Sequence, residues 1–233
     1  MKTKVASAAS IVAIVLFFST ATAQERASQS GSRRGVTVPA SEVVNGDYFA
    51  FGGTVEIAGT INGDLYASGG QVVIDGTVNG DVLVAGGRVS LSGTVSQDVR
   101  AAGGQVTISG NVGRNLTVAG GQVELAPSAV VRGGLVAAGG NVDLSAPVTG
   151  AVKVAAGTLI VANRIGGNVD AAVGTLRIAS RADVQGAVNY WSRREASVSE
   201  GARIHGKIVR NLPPERPRLF PAAFFAWIGF VSI

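Results

Sequence analysis

The amino-acid sequence predicts an all-β fold, a single-stranded β-helix (solenoid) of about nine coils with a 17-residue period. Three observations carry that expectation. A 17-residue repeat runs from Gly46 to about His205, apolar residues alternate with period two inside the copies, and a glycine pair sits at a fixed place in most of them. A period kept over nine copies outranks any local propensity, because each copy must bury its apolar face against its neighbours.

In register the copies open with GDYFAFGGTVEIAGTIN (46–62), GDLYASGGQVVIDGTVN (63–79) and GDVLVAGGRVSLSGTVS (80–96), and close with the degraded GAVNYWSRREASVSEGARIH (186–205). The copies at 114–132 and 167–185 are two residues longer than the rest, and the last is three longer. In the second copy Leu65 and Ala67 alternate with outward neighbours, Gly69-Gly70 follows, and Val72 and Ile74 alternate again before Gly76 and Val78. This reads as two short strands and one further apolar touch, separated by glycine corners. No copy holds a 3.6-residue apolar stripe long enough for a helix. The longer leucine-rich framework is absent too.

Five positions are apolar in nearly every copy, so five ladders are expected inside the coil. They start at Tyr48, Ala50, Val55, Ile57 and Ile61 and run to Val188, Ala171, Leu176, Ile178 and Val184. Val, Ile and Leu suit a pleated wall. A glycine column from Gly53 to Gly174 is expected at a corner that has positive φ or is too tight for a Cβ. The two extra residues of the longer copies fall near Pro127-Ser128-Ala129 and Arg181-Ala182-Asp183, at a corner, where insertions leave the walls in register. Nine coils at about 4.8 Å each give a rod roughly 40 Å long.

Outside the repeat, residues 1–23 read as a secretory signal peptide. Lys2 and Lys4 precede the apolar run Ile11 to Phe18, and Ala21-Thr22-Ala23 gives the small-residue cleavage pattern. Residues 24–44 read as a flexible lead-in, 45–210 as the repeat domain and 211–218 as a Pro/Arg linker. Residues 219–233, LFPAAFFAWIGFVSI, read as the opening of a transmembrane segment. An interfacial anchor or a hydrophobic cap is the alternative, because this stretch is shorter than the ~20 residues that span a bilayer. These segments predict an exported protein on the periplasmic or extracytoplasmic face, tethered to the inner membrane.

Net charge is +3 over residues 1–44, −3 over 45–163 and +5 over 164–233. Basic ends on a mildly acidic rod suit anionic lipid headgroups. No aromatics are interleaved with the basic residues as a nucleic-acid site requires. The chain has no Cys and one His, which removes disulfides, thiolate zinc sites and a Cys nucleophile.

Asp47, Asp64, Asp81 and Asp98 share one column, continued by Asn115 and Asn168. Stacked carboxylates invite a cation, but calcium-binding solenoids use a nine-residue period. Asp and Asn also suit turns beside Gly. No metal or cofactor is therefore expected. Thr60, Thr77 and Thr94 form a short column, better explained by β-propensity than by a ligand-binding array. His205 has no catalytic companion in its own copy and reads as a surface or capping residue. No carboxylate pair is held across a cleft as glycoside hydrolysis demands, and no catalytic residues are assigned. Phe49 and Phe51 should point outward on the first coil, and Tyr190 and Trp191 sit in the last copy. Aromatics there either cap the rod or form end-to-end contacts, since open coil ends invite pairing. These four are the candidate self-association residues.

The G-D-V-x-V-A-G-G-x-V-x-I-x-G-T-V texture of the copies, over residues 46 to about 210, resembles the bactofilin group of polymer-forming cytoskeletal proteins. The resemblance implies a right-handed triangular β-helix that polymerises end to end and scaffolds other proteins at a membrane. It brings no catalytic residues. Typical bactofilins are cytoplasmic and lack a signal peptide, so this chain looks closer to an exported, membrane-tethered branch. The expected function is a non-enzymatic scaffold of the bacterial cell envelope, with itself, the membrane and unidentified envelope proteins as partners and no nucleic acid. The alternative is an extracytoplasmic binding module, adhesin-like or glycan-binding.

Overall fold

A computed structural model describes residues 35–213. Among them there is no helix: parallel strands about 17 residues apart stack into a β-solenoid of about ten turns. Alternation puts every second side chain inside, and a one-residue slip would turn every ladder outward, so the apolar pattern sets the register. The core is built on the five expected columns, and Val38, Ala129, Ala146, Val173 and Ala182 are buried with them. From Ile57, Ile61 and Leu65 through Ile165 and Val184 these residues are buried; Tyr48, on the first coil, is only partly so.

All copies but the last depart from the two-strand expectation. The Gly pair does not separate two strands but lies within one ten-residue strand, as in Leu65–Ile74 and Val82–Leu91. Pairing runs through the first glycine of each pair (Gly69↔Gly86) and resumes two residues on (Gln71↔Arg88), skipping the second. The strand therefore bends there and supplies two walls. A two-residue strand such as Thr77–Val78 supplies the third. Each register pairs a residue with its equivalent one copy on, as in Leu65↔Val82, and the longer copies keep this rule, as in Leu116↔Leu135 and Val169↔Val188.

Positive φ does not explain the glycine column: among the described glycines only Gly46 and Gly201 have it, at 120° and 90°. The cause is close approach. A Cβ on Gly87 or Gly157 would lie 2.8 or 2.7 Å from the carbonyl oxygen of the glycine one copy earlier. The extra residues of the longer copies form tight turns. Ala129 N–H donates to Ala126 O and Ala182 N–H to Ala179 O, each at 2.9 Å. Pro147, which lacks an N–H, interrupts the third wall, leaving single bridges Val131↔Val148 and Val148↔Ile165 between its two sheets.

The expected lead-in over 24–44 is partly incorporated. Val36–Val38 pairs with Val55–Ile57 and Val43–Val44 with Thr60–Ile61, so these residues form a further turn ahead of the first repeat. Valines supply the reason: Val38 is fully buried and Val36 and Val44 pack on the core. The signal segment 1–23, the start of the lead-in and the apolar segment 219–233 lie outside the described residues.

Candidate functional site

The outer surface of the coil carries columns of polar side chains that bond from copy to copy. In the Asp column Oδ1 of each residue accepts the backbone N–H of its successor. Asp64 N donates to Asp47 at 2.9 Å, Asp81 N to Asp64 at 2.8 Å, Asp98 N to Asp81 at 3.0 Å and Asn115 N to Asp98 at 2.9 Å. Asn115 and Asn168 continue the role, accepting from Gly134 and Ala187 at 2.9 Å. A neutral amide oxygen can accept this bond too, so Asn takes the place of Asp along the column. Arg100 lies 3.5 Å from Asp81 and 3.6 Å from Asp98, so a cation already sits between those carboxylates. No cluster of potential metal ligands occurs among the described residues.

A second ladder escaped sequence reading. Asn62 donates to Asn45 at 2.7 Å and Asn79 to Asn62 at 2.9 Å. The signal was present, as an Asn preceding each of the first three G-D pairs, but only stacking at one coil's spacing turns it into a chain of amide bonds. Thr60, Thr77 and Thr94 do align, and the column passes to Asn111 and Val130 after three threonines. His205 Nε2 lies 3.0 Å from Asp183 Oδ1 of the preceding copy, at the surface. A shallow groove of about 410 Å³ follows the glycine corner, lined by Gly53, Thr54, Gly70, Gln71, Gly87, Arg88 and Gln105.

The four candidate aromatics are not equivalent. Phe49 and Phe51 point outward, 60% and 63% exposed. Phe49 stacks on Tyr66 with ring centroids 4.8 Å apart. Burial pushes the Tyr66 hydroxyl pKa up, and the carboxylate of Asp64, whose Oδ2 it approaches at 3.4 Å, adds to the rise. Trp191 is 40% exposed and shares a column with Phe51. Tyr190 is a correction. It pairs with Ala171, faces inward and is buried, and its hydroxyl accepts the Ala196 N–H at 3.1 Å. The loop 192–196 closes over it, so Tyr190 is core and offers no surface for association.

Both ends of the rod are open edges among the described residues. At the start, Tyr48–Gly52 pairs only with Leu65–Gly69, because Val36–Val38 covers just Val55–Ile57. At the finish, Ile208–Asn211 pairs only with Val188–Trp191. This last strand lies past the last written copy, which ends at His205, and overruns the expected repeat domain, 45–210, by one residue. It was legible as Ile208, which follows Val188 in the same ladder at the spacing of the longest copy. The inward columns end there uncovered: Val198 and Ile208 are each 45% exposed. No family model, curated protein or solved structure matches the chain.

Proposed function

We propose that this chain is a non-enzymatic scaffold of the bacterial cell envelope, akin to an exported, membrane-tethered branch of the bactofilin-like proteins, whose β-helix rod associates with further copies of itself. The observation that carries the reading is the pair of parallel edges, Tyr48–Gly52 and Ile208–Asn211, left open among the described residues. Such edges present unpaired backbone groups that a second chain can satisfy. The exposed Phe49, Phe51 and Trp191 lie on or near them. The non-enzymatic part rests on how the outer polar columns are used: their acceptors are engaged in coil-to-coil hydrogen bonds. The signal-like residues 1–23 and the apolar 219–233 support export and tethering.

The test is analytical ultracentrifugation and negative-stain electron microscopy of the full chain in mild detergent, across protein concentration. The expected result is filaments a few nanometres wide that lengthen with concentration. Sedimentation as a monomer at every concentration overturns self-association. A binding module is the second reading, favoured by the glycine-corner groove with its Gln71, Arg88 and Gln105 side chains. Selective glycan-array binding that Gln71→Ala and Arg88→Ala abolish would establish it.

A further inference from the structure

The C-terminal end of the rod joins two properties. Residues 190–213 contain five basic side chains, Arg193, Arg194, Arg203, Lys207 and Arg210, against Glu195 and Glu200. The same end exposes Trp191 at 40%, Val198 and Ile208 at 45%, Val209 at 40% and Leu212 at 72%. Val198 and Ile208 are exposed for a geometric reason: they continue the buried columns of Ile178 and Val188, and no described strand lies beyond them. The opposite rim, residues 35–52, carries Glu42 and Asp47 and no basic side chain. Past Pro213 the sequence adds Arg216 and Arg218 and enters the apolar residues 219–233. The short stretch from Pro213 to Leu219 spans at most about 20 Å, so whatever holds the apolar segment lies close to this end.

We infer that the C-terminal coil is a docking surface for an anionic lipid bilayer, on which the rod stands end-on with its N-terminal coil farthest from the membrane. The inference rests on the tethered reading above. Headgroup phosphates are the partners for the basic rim, the interface accepts the apolar side chains, and Trp191, one coil back, lies at the depth where indole rings settle. A second copy docked tail to tail would bring two basic rims together, and a copy docked head to tail competes with the bilayer for Ile208–Asn211, so on the membrane further copies join through the free Tyr48–Gly52 edge. The chain's own apolar segment folded back as a cap would leave the basic groups, apart from Arg210 paired with Glu195 at 3.4 Å, without counter-charge.

The experiment uses the full chain carrying Trp227→Phe, which leaves Trp191 as the sole tryptophan, since the chain has two. It is reconstituted into vesicles of phosphatidylcholine alone or mixed with phosphatidylglycerol. Quenching of Trp191 by headgroup spin-labelled lipid is measured, with flotation of the vesicles as the measure of tethering. Strong quenching is expected in anionic vesicles, reduced several-fold in neutral vesicles and in high salt. Arg203→Gln with Lys207→Gln should lower it likewise while flotation persists, and Arg193→Gln with Arg194→Gln provides a second variant should the first unfold by circular dichroism. Flotation with quenching indifferent to lipid charge, or Trp191 shielded equally by residues 219–233 in detergent at concentrations where the chain is monomeric, overturns the docking surface and leaves the tether intact. Loss of flotation in every vesicle overturns the tether and the docking surface together.

Discussion

Gly93→Ala tests whether coil-to-coil proximity holds the array together. Gly93 stands at the corner before the third wall, in a run of glycines at 59, 76, 93 and 110. A Cβ there would lie 2.7 Å from the Asp75 carbonyl carbon, 2.8 Å from its oxygen and nearer still to Gly76 O. Ordinary contact needs about 3.5 Å, so the backbones must part by more than about 1 Å. The atoms in the way are themselves bonded. Gly93 N donates to Ile74 O at 3.0 Å, Ser92 N to the same oxygen at 2.9 Å and Thr94 N to Gly76 O at 3.0 Å. Weakening two or three such bonds, each contributing about 1 kcal/mol net, costs about 2–4 kcal/mol with the accompanying strain. At about 2–4 °C per kcal/mol that is a fall in Tm of roughly 4–16 °C, read by far-ultraviolet circular dichroism. Ala102→Gly, at an exposed outward position, is the control and should cost no more than about 1 kcal/mol. A Gly93→Ala protein that melts with the wild type or above it refutes the argument, because Gly→Ala without steric conflict stabilises by about 0.4–1 kcal/mol through the unfolded chain.

Val106→Asp places a carboxylate in a fully buried ladder and should abolish the cooperative transition, whereas Gln105→Asp, one residue along and partly exposed, should shift Tm little; equal effects in thermal melts would mean the inside/outside register is wrong. Asp81→Asn keeps the acceptor for Asp98 N–H and should be near neutral, while Asp81→Ala removes it and should cost about 1–2 kcal/mol in urea unfolding; a large loss with Asn would instead point to a role for the charge. The raised pKa of Tyr66 means that its neutral hydroxyl contributes stability present below pH 10.0, the ordinary value, and lost as pH rises through the folded value. An ultraviolet tyrosinate titration should show one residue ionising late, and Tyr66→Phe should flatten the alkaline limb of the stability curve.

The period, the five inward columns and the sites of insertion are legible in the order of amino acids alone. Leu65, Val72, Ile74 and Val78 could be placed inside with no structure, because in a stacked array each residue meets its own equivalent in the next copy. Distances between coils, and the strands that join the rod outside the clear copies, emerge only when the coils are stacked in space. The glycine column exists because adjacent backbones nearly touch, not because φ is positive, and no single copy reveals that spacing. The Asp column is a set of acceptors for the next coil's N–H groups, a role that composition does not distinguish from a cation site. Val36–Val38 and Ile208–Asn211 joined the rod although their copies carry little of the repeat, since a parallel edge recruits any chain that can complete its hydrogen bonds. Tyr190 belongs with them: in a degraded copy its column is visible only through pairing with Ala171, and its burial follows from the loop that closes over it.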